Sequence, residues 1–170
     1  SPQEIASQDS DTAALSLLIA EDSPQDAQHL EKIARALGWR TQLVTDGEAL
    51  VQDFMARAAS GLRLPDALIV DWQMPQMDGL QALASLTEQL GRDKLPAVLM
   101  VTAFERAGIE ALDKNHLVNR ILHKPVDSSE LFNAVNDVVT QHTGNTSRVL
   151  QVTRTEAVKA RWLPNVRVLV

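Results

Sequence analysis

Glu21, Asp22, Asp71, Thr102 and Lys124 each follow directly on a short, mostly apolar run, at residues 15–20, 67–70, 97–101 and 120–123. Taken singly, an Asp in such a place is an ordinary turn or cap residue. Glu21-Asp22 before Ser23-Pro24 would also serve as a plain helix start. Five such residues at successive run ends are another matter. Three carboxylates brought together repel, and raise one another's pKa, unless a cation sits among them. A donor set of oxygens alone, without His or Cys, suits Mg²⁺, which keeps waters and favours a phosphate as co-ligand. Lys124 supplies a point charge and Thr102 a hydroxyl to hold an anion beside that cation. The set reads as a site for Mg²⁺ and a phosphoryl group.

The elements that must position these residues are legible from periodicity. A fifth apolar run lies at 41–44, and the segments between the runs carry helical spacing. Ala27, Leu30, Ala34 and Leu37 form one stripe, Leu80, Leu83 and Leu90 another, and Leu131, Ala134, Val135 and Val138 a third. Weaker helical patterns cover 48–59 and 105–113. Pro24 opens the first helix, Gly38 closes it, and Pro65 and Pro96 precede strands. Five strand–helix units in sequence predict an α/β fold, a parallel sheet with right-handed crossovers. In such sheets ligands bind at the carboxyl ends of the strands, where the five residues stand.

The segments Leu17-Leu18-Ile19-Ala20-Glu21-Asp22-Ser23-Pro24, Asp71-Trp72-Gln73-Met74-Pro75-Gln76-Met77-Asp78-Gly79, Val101-Thr102-Ala103 and His123-Lys124-Pro125 together resemble the receiver domain of two-component response regulators. The resemblance covers about residues 15–142 in order and spacing. It implies a flavodoxin-like, doubly wound sheet of order 2-1-3-4-5 with five helices. It also implies that Asp71 accepts a phosphoryl group from phosphohistidine, and that Asp22, Asp71 and the Gln73 backbone carbonyl hold Mg²⁺, with Glu21 acting mainly through bound water. Thr102 and Lys124 would engage the phosphoryl oxygens, and Lys124-Pro125 would share a cis peptide bond. The implied partners are a histidine kinase or a histidine phosphotransfer domain, and the implied location is the cytoplasm, with a parent protein that membrane segments could anchor. One departure stands out. The family's switch aromatic on the fifth strand falls here on Ile121, which argues for another output route. Gln73 and Phe104, two residues after Asp71 and Thr102, flank the site and bear on how long an aspartyl-phosphate lasts.

Composition narrows the field further. In 170 residues there is no Cys, which excludes disulfides, thiolate metal sites and Cys nucleophiles. A hydrophobic content of 45% permits a packed core, and a net charge of -6 argues against general nucleic-acid binding. The seven glycines form no Gly-x-Gly pair, so neither a dinucleotide fingerprint nor an ATP-binding P-loop is present. His29-Leu30-Glu31-Lys32 matches a His-x-x-Lys pattern found in helical phosphotransfer bundles, but it lies on the first helix of an α/β pattern. Two rival functions stay open: a receiver-like interaction domain that is never phosphorylated, and a Mg²⁺-dependent phosphohydrolase. The hydrolase needs an acid two residues after its nucleophile, where this chain has Gln73.

The ends carry a different composition. Residues 1–14 read as a linker, 15–142 as the receiver, 143–163 as a linker or helix, and 164–170 as the first strand of a following receiver. From 144 onward the basic residues Arg148, Arg154, Lys159, Arg161 and Arg167 face a single acid, Glu156. A start at Ser1 and an end on Val166-Arg167-Val168-Leu169-Val170 suggest a piece of a longer chain, with a hybrid sensor histidine kinase carrying tandem receivers as the expected parent. The same apolar run could pair with a second copy, so a homodimer is a further expectation.

Overall fold

The computed structural model describes residues 14–143. The expected linkers on either side, and the strand expected at 164–170, lie outside the described residues. Five strands alternate with five helices: β1 (Ser16–Ala20), α1 (Pro24–Ala36), β2 (Arg40–Val44), α2 (Gly47–Ala59), β3 (Ala67–Asp71), α3 (Gly79–Leu90), β4 (Ala97–Thr102), α4 (Arg106–Leu112), β5 (Arg120–His123) and α5 (Ser128–Thr143), with a 3₁₀ turn at Arg92–Lys94. The strands form one sheet in the order β2-β1-β3-β4-β5. Every pairing is parallel. This is the flavodoxin-like arrangement expected from the sequence.

Alternate residues of the central strands feed two cores, as a sheet covered on both faces requires. Leu17, Ile19, Ile69, Leu99 and Val101 pack with Leu30 and Ala34 of α1 and Leu131, Ala134, Val135 and Val138 of α5. Leu18, Leu68, Val70, Val98 and Met100 pack with Leu50 and Phe54 of α2, Ala82, Leu83 and Leu86 of α3, and Ile109 of α4. The sheet edge β2 is only half-buried, which is why its apolar run is the weakest in the sequence. Asp71 and Thr102 are the last residues of their strands rather than the first residues after them. Asp71 still pairs with Val101 and Thr102 with His123, so the ladder itself fixes their backbones.

The turns at the carboxyl edge are built by local caps. The Ser23 hydroxyl accepts from the Asp26 N–H, with Pro24 in the first helical turn of α1. Asp78 and Gln81 close a reciprocal capping box at the start of α3. Asp113 accepts from the Leu117 and Val118 N–H groups at 2.8 and 2.9 Å, fastening the loop that leads into β5. Gly79 sits where α3 begins directly against β3. A Cβ there would lie 2.6 Å from the Asp71 carbonyl oxygen and 2.9 Å from the Met100 methyl. Gly79→Ala should therefore destabilise the domain by about 1–3 kcal/mol, the usual range for forced overpacking. Urea unfolding measures it, and an unchanged midpoint would show that the loop yields freely.

Candidate functional site

The strand ends bring the five sequence-marked side chains to one edge. Glu21 continues β1, its N–H donating to the Val44 carbonyl at 3.0 Å, and its side chain is buried. The Ser23 N–H donates to Glu21 Oε2 at 3.1 Å, which turns the carboxylate back over the strand. Asp22 beside it is exposed. Asp71 is 6% exposed and Thr102 is fully buried. The Lys124 N–H donates to the Thr102 carbonyl at 2.8 Å, and a cis Lys124-Pro125 bond follows, as the family resemblance implied.

Carboxylate oxygens of Glu21, Asp22 and Asp71 all lie within 4.8 Å of one another. The Lys124 ammonium stands over this group, 2.7 Å from Glu21 Oε1 and 3.5 Å from Asp71 Oδ2. A further carboxylate joins it. Asp26 Oδ2, on the first turn of α1, is 2.9 Å from the same nitrogen. Sequence reasoning missed Asp26 because a first-turn Asp reads as a helix-dipole residue. Its partner is 98 residues away in the chain.

Electrostatics follow from this crowding. Burial, then the hydrogen bond and charge of Glu21, push the Asp71 carboxyl up to about 7, against the opposing charge of Lys124. For Lys124, burial disfavours the ammonium, but hydrogen bonds to Glu21 and Asp26 and the charges of Asp71 and Glu21 outweigh it. The result holds Lys124 above the ordinary lysine range. An edge that packs carboxylates this tightly around one ammonium is poised to accept a further cation.

The flanking residues are ordered around the same edge. The Phe104 N–H donates to the Thr102 hydroxyl oxygen at 2.8 Å, which leaves the hydroxyl its own proton to donate. Phe104 is 52% exposed and sits edge-on to Trp72, ring centroids 5.8 Å apart. Trp72 is half-buried, with an indole N–H that finds no acceptor among the described residues. Gln73 is exposed beside Asp71, and Ile121 is buried on β5. His29 lies on α1 with Nε2 2.7 Å from the Val126 carbonyl oxygen, on an α/β domain and not on a helical bundle.

A family model described as the response regulator receiver domain matches residues 17–136. The chain belongs to that family. Receiver domains are the phosphoacceptor modules of two-component signalling, and they work with histidine kinases or phosphotransfer proteins. A response regulatory protein of Vibrio cholerae is 30% identical to this receiver over 114 residues, 67% of this chain and 41% of the relative. The chain thus spans less than half the length of that relative. Protein PilH of Pseudomonas aeruginosa is 28% identical over 123 residues, covering 72% of this chain and 96% of PilH. Among solved structures, the receiver domain of a sensor histidine kinase from Pseudomonas aeruginosa superposes with a TM-score of 0.62 at 26% identity. That match covers 74% of this chain and 98% of the other, whose structure has a magnesium ion coordinated in its active-site cleft. Among the described residues of this receiver, no helix is long and apolar enough to cross a membrane.

Proposed function

We propose that Asp71 is the phosphoacceptor of this receiver, that Asp22, Asp71 and the Gln73 backbone carbonyl hold Mg²⁺ with Glu21 behind them, and that Thr102 and Lys124 bind the phosphoryl oxygens. The observation that carries this reading is the cluster of Glu21, Asp22 and Asp71 with the Lys124 ammonium above it. The donor set fits the metal, since it offers only oxygens and an excess of negative charge in a small volume. When bound, Mg²⁺ would neutralise charge on the phosphoryl oxygens during transfer.

The chain's own residues supply the rest. A carboxylate oxygen of Asp71 attacks the phosphorus of phosphohistidine and forms a P–O bond. The P–N bond breaks, and its electron pair leaves with the imidazole, which takes up a proton. β3 holds Asp71 rigidly for in-line approach, because its backbone pairs with Val101 up to the strand's last residue. Lys124 offers its charge to the equatorial oxygens, and the Thr102 hydroxyl donates its free proton to one of them. Thr102 is also bonded to the Phe104 N–H, so its movement toward a phosphoryl group would disturb the Phe104–Trp72 pair. That pair offers an output route in place of the aromatic that Ile121 replaces.

The donor would be a histidine kinase or histidine phosphotransfer domain working in the cytoplasm, where ATP supplies the phosphoryl group. A hybrid sensor histidine kinase as parent, with a second receiver beginning at 164–170, belongs to the same proposal and rests on sequence alone. Intact mass after incubation with acetyl phosphate tests the reading. Wild-type protein should gain a single phosphoryl group with Mg²⁺ and none in EDTA. No gain in either buffer, with Trp72 fluorescence insensitive to Mg²⁺, would leave only an interaction domain of the receiver fold.

A further inference from the structure

The Lys124 ammonium is shared with a carboxylate that lies outside the acidic cluster. Glu21 and Asp71 belong to that cluster, but Asp26 does not. Asp26 nevertheless holds the ammonium at 2.9 Å, closer than Asp71 at 3.5 Å. The contact is anchored at its base: the Asp26 N–H donates to Ser23 Oγ in the first turn of α1, so the helix start fixes where this carboxylate can reach. The Asp26 side chain is 45% exposed and Lys124 only 18%, so the pair sits at the rim of the site rather than beneath it.

We infer that Asp26 is a positioning residue that holds Lys124 back from Asp71 and so sets the rate at which the phosphoryl group is taken up. The inference rests on the reading of Asp71 as acceptor. Lys124 has one charge and three donors to distribute. Before phosphorylation they serve Glu21, Asp26 and, at longer range, Asp71. A phosphoryl group on Asp71 brings nearly two negative charges and draws the ammonium toward itself. To neutralise the equatorial oxygens fully, Lys124 must loosen its bond to Asp26, and that loss falls on the transition state and the product alone. An interaction present in the ground state and weakened in the transition state slows the step. Removing Asp26 should therefore speed uptake, while hydrolysis, whose starting acyl phosphate already carries the loss, should be nearly unchanged.

The expected size is modest because the pair is partly exposed. Asp26→Asn should raise the phosphorylation rate constant at saturating Mg²⁺ and saturating acetyl phosphate by roughly two- to fivefold. The same substitution should leave the hydrolysis rate constant of the acyl phosphate nearly unchanged. If Asp26 served only the dipole of α1, its loss would move the unfolding midpoint and leave the uptake rate constant alone. If it merely repelled an anionic donor, the gain would appear in KM and not at saturation. A double-mutant cycle with Lys124→Ala separates action through Lys124 from any other route, since the Asp26→Asn effect should vanish in that background. The ¹⁵Nζ resonance of Lys124 gives a readout independent of turnover, and it should shift on Asp26→Asn before any donor is added. An unchanged uptake rate constant at saturation, an equal gain without Lys124, or an unmoved Lys124 resonance would each overturn the inference. Wild-type protein that takes up no phosphoryl group would instead remove the acceptor reading, and this inference with it.

Discussion

Asp71→Asn should take up no phosphoryl group and, in EDTA above pH 7, should be more stable than the wild type. The first effect is chemical. An amide is not the nucleophile that a carboxylate is, and no acyl phosphate forms on it. The second follows from the crowded carboxylates. The folded protein pushes the Asp71 carboxyl up to about 7 from an ordinary 3.8. Between those values the folded chain binds a proton that the unfolded chain does not. The stabilisation from that proton is fully present below about pH 4 and is lost as pH rises through about 7. Asn carries no charge to bury, so the variant escapes the loss and gains about 1–3 kcal/mol over wild type at pH 8. Urea unfolding of both proteins from pH 4 to pH 8 in EDTA measures it. Parallel stability profiles would show that Asp71 is not electrostatically strained.

Lys124→Ala should have the opposite effect on stability. It removes the ammonium that stands 2.7, 2.9 and 3.5 Å from three carboxylates, and leaves Glu21 buried without it. Breaking a buried ion pair from one side costs about 3–5 kcal/mol. Asp26 is half-exposed and water can reach the rim, so about 2–4 kcal/mol is the expectation here. Mg²⁺ should then restore more stability to the variant than it adds to wild type, because a cation again balances the cluster. Some phosphorylation should persist, but without Lys124 the modified site would no longer drive the surface change, and Trp72 fluorescence should stay unresponsive. A variant as stable as wild type, or one whose Trp72 signal still responds to phosphorylation, would contradict the role assigned to Lys124.

The site was legible where it rests on backbone order. Residues that follow apolar runs in an alternating α/β pattern must gather at the carboxyl edge, and Glu21, Asp22, Asp71, Thr102 and Lys124 do so. The stripe of Leu131, Ala134, Val135 and Val138 likewise marked the buried face of α5, each residue 2% exposed or less. Legibility ended where contacts join side chains of distant segments. Asp26 meets Lys124 because α1 and the β5–α5 loop lie side by side, and no local pattern encodes that meeting. Asp113 looked like the end of α4, whereas its carboxylate is buried against the N–H groups of Leu117 and Val118. The pairing of Trp72 with Phe104 joins the ends of two strands that neither sequence neighbourhood predicts.

The position of the acyl phosphate tests the central claim most directly. Wild-type protein phosphorylated with acetyl phosphate and Mg²⁺ can be reduced with borohydride, which converts an aspartyl-phosphate to homoserine, and then digested and sequenced by mass spectrometry. Homoserine at position 71, with Asp22 and Asp26 unchanged, is the predicted result. Homoserine at another carboxylate, or a phosphoryl group that resists borohydride on a hydroxyl side chain, would contradict it.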